Sequence, residues 1–173
     1  MYIDLTKQIY TRMPVYPGDP EVLLKPIATV DQDGYSNYEL HTSMHVSTHV
    51  ETPAHMKPTH HRLLSYGLDD LIGLGRKIFV HEQYDYLGEE ILLIDTKSPL
   101  NIDWIKSVTQ YPIKAIVLEI ESPDVYPYDI HHYLFDKGIL IVENAANFDQ
   151  LPKHKIFNTH IKNSSSSLGG GMN

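Results

Sequence analysis

The sequence contains no cysteine. Disulfides and thiolate metal ligands are therefore excluded, and any nucleophile has to be another group. No serine nucleophile elbow is recognisable either, which makes covalent catalysis the poorer alternative if the protein is an enzyme. Its chemistry has to come from other side chains.

Positive charge and long apolar runs are also scarce. Lysine and arginine number 14 against 22 acidic residues, which gives a net charge of −8, and no basic block interrupts this excess. That balance argues against nucleic acid or an anionic membrane surface as a partner. No apolar run approaches the length that spans a bilayer, and the first residues lack the pattern of a signal peptide. We therefore expect a cytoplasmic protein.

The second half of the sequence alternates between strand and helix patterns. Predicted strands at 90–94, 114–120 and 139–142 enclose helices near 103–108 and 130–137. This order is typical of a parallel βαβ layer. Because the first half is rich in strand patterns, we expect an α/β fold: a compact single domain with a mixed, barrel-like β core flanked by helices. The domain covers residues 1–162, and the Ser/Gly-rich residues 163–173 are expected to form a flexible tail.

Several local patterns give more specific expectations. A short strand opens the chain at 2–6, and a rigid Pro-rich loop at 13–20 could form the wall of a pocket. Strands at 21–30 and 35–41 flank a hairpin-like turn. We also expect a helical turn at 68–72 that stops at Gly73, and a cap at Asp129 for the helix that follows it.

Three histidines and a carboxylate fall within a short segment: His45, His49, Glu51 and His55. A helix would separate Glu51 from the first two histidines, at about 100° per residue. On a strand, side chains alternate, so His45, His49 and Glu51 share one face. The β-branched residues between them favour a strand, and Pro53 ends it. We therefore predict a strand here, with His55 in a turn that can curl back over the same site.

Imidazole and carboxylate are ligands of zinc and related ions. Burying four such groups without a metal or partners would be costly. The alternative is a polar strand face with scattered histidines, because the chain holds eleven of them. We favour the metal site and expect one or two divalent ions, with zinc ahead of manganese and iron also compatible.

A second pair of candidate ligands lies in the βαβ layer. Glu143 follows four aliphatic residues at the carboxyl end of a predicted strand, where polar groups tend to be functional. His131 lies in the first turn of the preceding helix, so the two side chains could converge, whereas His132 would point elsewhere. Taken alone, a Glu at the end of a buried strand is more often a cap or an ion-pair partner.

Together, the two groups of residues resemble a known family. The pattern His-x-x-x-His-x-Glu-x-Pro-x-His, followed much later by His-x11-Glu, is similar to that of the cyclase family, which includes bacterial kynurenine formamidases and related metal-dependent amidohydrolases. Three further segments agree with it in order: 4–6, 14–19 and the acidic-x-x-Ser-x-Asp stretch at 119–124. The resemblance covers roughly residues 1–157.

The resemblance implies specific roles. It assigns His45, His49 and Glu51 to one metal, and Glu51, His131 and Glu143 to a neighbouring metal, with Glu51 bridging. It makes His55 the catalytic histidine. The implied activity is hydrolysis of a small amide, formamide, cyclic amide or lactone by a metal-activated water, with His55 carrying the proton. The substrate is thus a small molecule, and the implied assembly is a homo-oligomer, a dimer or tetramer.

Two positions depart from the family pattern. Glu51 stands where the family usually has Asp, and its extra methylene moves the carboxylate by more than about 1 Å. Ser47 stands where Gly is usual, so we expect that backbone not to need a Gly-only conformation. The departure at Glu51 favours a second hypothesis from another class: a metal-binding homologue without turnover, such as a scaffold or sensor.

Overall fold

The computed structural model describes residues 2–59 and 61–161. Within them the chain forms eight strands and four helices. The strands are β1 (Leu23–Ala28), β2 (Asn37–His41), β3 (His49–Glu51), β4 (Ile72–Phe79), β5 (Ile91–Asp95), β6 (Ala115–Leu118), β7 (Leu140–Glu143) and β8 (Ile156–His160). The helices are α1 (Val30–Asp33), α2 (Leu68–Leu71), α3 (Ile102–Val108) and α4 (Asp129–Asp136). The predicted tail lies outside the described residues, so the domain limit at residue 162 stays a prediction.

Six of these strands form one mixed sheet in the order β3-β7-β6-β5-β4-β8. The four central strands run parallel, with Ile94 beside Leu118 and Val117 beside Val142, while β3 and β8 are antiparallel at the two edges. The mixed α/β fold and the parallel βαβ layer are therefore confirmed. The described strands leave the sheet open between its edge strands.

The central strands are apolar on both faces because both faces are covered. Alternate residues point to opposite sides, so Leu92 and Ile94 pack under helices α3 and α4, and Ile91 and Leu93 pack on the other side. Phe148, which is fully buried, lies on that second side. Both layers hold the carboxyl ends of the parallel strands in fixed positions, and Glu143 stands at one of those ends.

The segment before β1 is ordered without being a strand. The predicted strand at 2–6 is wrong, since none of these residues pairs in a sheet. Ile3 and Leu5 instead pack against the second core layer, and Ala146 N–H donates to the Leu5 carbonyl at 2.8 Å. This short segment therefore lies beside the loop that follows Glu143.

The predicted strand around His45 is shorter in the structure. Only His49–Glu51 pairs, in antiparallel register with β7, and residues 45–48 form a tight turn. Ser47 has φ +58°, in the left-handed region, which favours Gly but is open to other residues, so this backbone does not need a Gly-only conformation. Its hydroxyl donates to the Lys7 carbonyl at 2.6 Å, which helps to hold the turn in place.

Strands β1 and β2 form a separate two-stranded antiparallel ribbon, as the two predicted strands require. The predicted turn between them is a helical turn, α1, which Gly34 ends with φ +76°. Ala28 is the one buried residue of β1, whereas Ile27 and Tyr38 are exposed. A two-stranded ribbon of this kind is only marginally stable in water unless it packs against other elements.

Two local features differ from the expectations. Helix α2 leads directly into β4, so Gly73 lies inside a strand rather than stopping a helix. Strand β8, which pairs with β4, was not predicted. None of the described helices has the length and apolar character needed to cross a membrane.

Candidate metal centre

The pairing of β3 with β7 creates the floor of the site. His49 lies directly opposite Glu143, and Glu51 is two residues further along the same face of β3. His49 Nε2 is 3.4 Å from Glu143 Oε2 and 3.8 Å from Glu51 Oε1. The His49 ring is held from behind, since its Nδ1–H donates to the Ser47 carbonyl at 3.0 Å. That bond leaves Nε2 facing the two carboxylates.

Helix α4 supplies a further imidazole. His131, in its first turn, places Nε2 3.0 Å from Glu51 Oε2 and 3.4 Å from Glu143 Oε1. The neighbouring His132 is exposed, as expected. The predicted convergence of His131 with Glu143 therefore occurs in this structure.

Asp124 holds His131 in that orientation. Its Oδ1 is 2.5 Å from His131 Nδ1, and its Oδ2 accepts the Ile130 N–H at 2.6 Å. The expected cap at Asp129 is wrong: Tyr128 is the cap position with φ +64°, and the Asp124 carboxylate satisfies a free N–H of the first turn. A carboxylate on the second nitrogen of a ligand histidine is a common feature of metal sites.

His45 and His55 lie on the side of the cluster that faces the cavity. The His45 ring stacks on His49 with centroids 5.3 Å apart, and its edge meets His55 at 4.3 Å. His55 Nε2 is 3.4 Å and His45 Nε2 4.0 Å from Glu51 Oε1. His55 reaches this point from the single-turn 3₁₀ helix Pro53–His55. The six candidate residues singled out in the sequence thus lie together in one cluster, with Glu51 at its centre.

The cluster contains buried polar atoms without hydrogen bonds. His49, Glu51, His131 and Glu143 are at most 5% exposed. Among the residues that the structure describes, His49 Nε2 and Glu143 Oε1 have no hydrogen-bond partner, and the contact of Glu51 Oε2 with His131 lacks hydrogen-bond geometry. Unpaired buried groups of this kind are costly, and a cation would satisfy all three. The donor set of imidazoles and carboxylates therefore fits a divalent ion.

The donor atoms converge in two groups that share one residue. His49, Glu51 and Glu143 each offer an atom within 4.8 Å of the others, and so do His45, Glu51 and His55. Glu51 therefore stands between two possible ion positions. The division of ligands between two metals that the family resemblance implies stays a prediction.

The charge of the cluster is reflected in its pKa values. Burial opposes protonation of His49, but Glu143 and Glu51 outweigh it and raise the pKa of His49 to about 10. Burial acts likewise on His131, and Asp124 with Glu143 and Glu51 raises its pKa to about 11. Burial would raise the pKa of Glu51, yet His131 and His49 hold it well below its ordinary value. The carboxylates thus create a negative potential that attracts cations.

His55 behaves differently from the other two histidines. Burial is the main influence, and it lowers the pKa of His55 below the ordinary value despite the attraction of Glu51. A histidine with a lowered pKa is neutral at neutral pH and available to accept a proton.

A cavity of about 820 Å³ opens over the cluster. As expected, the Pro-rich loop forms part of its wall, through Pro14, Val15 and Tyr16. Several wall residues were not singled out from the sequence, among them Lys7, Tyr128 and Asn144. Asn144 could have been noticed because it directly follows Glu143, whereas a lysine near the start of the chain carries no comparable signal.

Comparisons of sequence and of fold relate the chain to known proteins. The family model described as "Putative cyclase" matches residues 3–125. A kynurenine formamidase of Bacillus cytotoxicus is 24% identical, over 84% of this chain and 82% of that protein. Isatin hydrolase A from Labrenzia aggregata, solved with benzyl benzoate, has a TM-score of 0.69 at 17% identity, covering 87% of this chain and 82% of that one. A "predicted metal-dependent hydrolase" from Bacillus stearothermophilus has a TM-score of 0.66 at 19% identity, covering 87% and 84%. The structural matches show the shared fold.

Proposed function

Since the chain belongs to the cyclase family, we propose that it is a metal-dependent amidohydrolase. Its substrate would be a small amide, formamide, cyclic amide or lactone. The observation that carries the proposal is the set of three unpaired buried donor atoms, on His49, Glu51 and Glu143, at the bottom of a cavity large enough for a small molecule. The name of the kynurenine formamidase relative supports an amide or formamide as the bond that is cleaved.

We propose that the centre holds one or two divalent ions, zinc before manganese. Its ligands would be His45, His49, Glu51, His131 and Glu143. When bound, such an ion polarises a carbonyl and makes a water nucleophilic near neutral pH. The protein contributes the orientation of its ligands: the Ser47 carbonyl fixes His49, and Asp124 fixes His131.

His55 is the proposed catalytic residue. Its Nε2 lies on the open side of Glu51, and it lines the cavity. As a neutral imidazole it would take a proton from the attacking water and return it to the leaving nitrogen or oxygen. Its closeness to His45 and Glu51 would also suit a ligand, so the metal content of a His55 variant has to be measured together with its turnover.

We further propose that the protein is a homo-oligomer in the cytoplasm, a dimer or tetramer. The β1–β2 ribbon supports the oligomer, since Ile27, Val30 and Tyr38 are exposed apolar side chains on an otherwise thinly packed unit. Light scattering coupled to size exclusion measures the mass directly. A monomer at micromolar concentration would contradict the oligomer, and cell fractionation tests the location.

The function is tested by metal analysis of the purified protein, followed by assays against formanilide, a cyclic amide and a lactone. We expect a bound divalent ion and hydrolysis that stops with a chelator and returns with zinc. Protein that neither contains nor takes up a divalent ion would refute the proposal. Stoichiometric metal without hydrolysis of any of the three classes would favour the non-catalytic metal-binding homologue.

A further inference from the structure

One wall of the cavity carries an ammonium group with unused hydrogen-bonding capacity. Lys7 is the only lysine or arginine that lines the cavity within the part of the chain that the structure describes. Its Nζ donates to Asn144 Oδ1 at 2.9 Å. An ammonium has three N–H donors, so two remain for water or a ligand.

The position of Lys7 is fixed relative to the metal centre. Its backbone N–H donates to Thr48 Oγ1 at 2.9 Å, and its carbonyl accepts the Ser47 hydroxyl. The Thr48 hydroxyl in turn donates to the Asn144 carbonyl at 2.6 Å. The backbone of Lys7 is therefore tied both to the turn before His49 and to the residue after Glu143. A ligand group held by Lys7 would have a defined position relative to the centre.

The charge of Lys7 is not neutralised by a direct partner. Burial lowers the pKa of Lys7, and the negative charges of Glu121 and Glu119 act against that effect. Neither carboxylate pairs with Nζ among the described residues: Glu119 accepts from Lys97, and Nζ has the neutral Asn144 amide oxygen. Lys7 is an exposed cation whose partner is a neutral amide oxygen, so it forms its strongest new hydrogen bonds with an anion.

We propose that Lys7 is a specificity-determining residue that binds an anionic group, a carboxylate, on the part of the substrate away from the bond that is cleaved. This inference rests on the proposed function and deepens it: the substrate class becomes amides or formamides that also carry a carboxylate. Asn144 then acts as a positioning residue, because its side-chain oxygen directs Nζ.

A merely structural role for Lys7 makes a different prediction. If Lys7 only ties the first residues to Asn144, its replacement affects neutral and anionic ligands alike. Matched probes separate the two roles: formanilide is neutral, whereas 2-, 3- and 4-formamidobenzoate present the same formamide with a carboxylate at three distances. The variants are Lys7→Met and Lys7→Arg, with Lys155→Met as the control, since Lys155 is exposed and does not line the cavity.

For zinc-loaded protein we expect Lys7→Met to raise KM for at least one formamidobenzoate by about tenfold, as for one lost charge-assisted hydrogen bond. We expect KM for formanilide to change by less than about twofold on the same reasoning, because a neutral ring has no anion to lose. Lys7→Arg should restore most of the preference, and Lys155→Met should behave as the wild type. Equal losses for formanilide and all three formamidobenzoates, or no loss for any, would overturn the proposal.

Equilibrium binding separates this inference from the proposed function. The dissociation constants of the three aminobenzoates and of aniline are measured by calorimetry on zinc-loaded wild type and Lys7→Met. Direct ligation of a carboxylate to the metal contributes equally in both proteins, so the difference between them reports Lys7. Weaker aminobenzoate binding to Lys7→Met with unchanged aniline binding supports the inference even if none of the four formamides is hydrolysed. Equal aminobenzoate affinities, or no aminobenzoate binding to the wild type, overturn it.

Discussion

Glu51 Oε2 lies 3.0 Å from His131 Nε2 and thereby connects the edge strand β3 with helix α4. The other oxygen of the same carboxylate faces His45, His49 and His55. One side chain is thus within reach of four imidazoles that come from three separate segments. Glu51 stands where the related pattern usually has Asp, and in this structure its carboxylate lies between the two groups of donors.

Glu51→Gln is expected to weaken zinc binding more than any other single substitution in the centre. It removes the one charge that both donor groups share, so the loss should exceed the roughly 10–100-fold effect of removing an outer partner. Glu51→Asp keeps the charge but shortens the arm, and its loss should be smaller. Competition with a chromophoric chelator measures both affinities. A Glu51→Gln protein that binds zinc as tightly as the wild type would remove Glu51 from the centre.

His55→Ala is expected to separate turnover from metal binding. If His55 transfers the proton, kcat falls by about 10²–10⁴-fold while the zinc content stays at the wild-type level. His61→Ala is the matched control, because His61 is an exposed histidine of the following loop. Elemental analysis and an assay with formanilide give the two readings. Loss of zinc in step with loss of activity would instead make His55 a ligand.

Asp124→Asn is expected to loosen His131. The substitution weakens the contact on Nδ1 and the bond to the Ile130 N–H, so zinc affinity should fall by about 10–100-fold. Asp129→Asn is the control, because Asp129 lies in the first turn of the same helix and is exposed. Zinc titration of both variants provides the measurement. Equal affinities for the two variants would show that Asp124 does not orient the ligand.

Glu89→Gln tests an ion pair away from the centre. Glu89 is fully buried and accepts from Arg76 Nε at 2.8 Å and from the Leu87 N–H at 2.9 Å. Burial would raise the pKa of Glu89, but the backbone N–H groups, Tyr84 and Arg76 hold it below its ordinary value. Breaking such a buried pair costs about 3–5 kcal/mol of unfolding free energy at neutral pH.

The difference in unfolding free energy between wild type and Glu89→Gln depends on pH because the pKa of Glu89 is lowered. A depressed carboxyl pKa contributes stability that is complete above the unfolded value, near pH 4.3, and that is lost as the pH falls through the folded value. The difference between wild type and Glu89→Gln should therefore shrink below about pH 4. Urea unfolding of metal-free protein at several pH values measures it, with the exposed Glu39→Gln as control. A difference independent of pH would contradict the ionised pair.

Much of the centre was predictable because the types and spacing of metal ligands can be recognised within short segments of the sequence. The spacing of His45, His49 and Glu51 with β-branched neighbours indicated a common face, and the position of Glu143 after an apolar run indicated a strand end. His45 nevertheless reaches the cluster by a different route from the predicted one. It reaches the cluster through the turn at Ser47 rather than through strand alternation, and the sign of a left-handed conformation there was the Gly that is usual at this position in the related pattern.

Other features depend on contacts distant in sequence. Lys7 enters the cavity wall because its backbone bonds to Ser47 and Thr48, and no local pattern near the start of the chain encodes that contact. Strand β8 was missed because its stability comes from pairing with β4 rather than from a strong apolar alternation of its own. Residues 2–6 read as a strand, yet packing against the second core layer decides their conformation.

The most direct test of the metal centre is anomalous diffraction at the zinc edge from crystals of the zinc-loaded protein. We predict one or two strong peaks beside the Glu51 carboxylate, between the donor atoms of His49 and Glu143 and, for a second ion, beside His45. The absence of any peak within coordinating reach of Glu51, in crystals that contain zinc, would contradict the account.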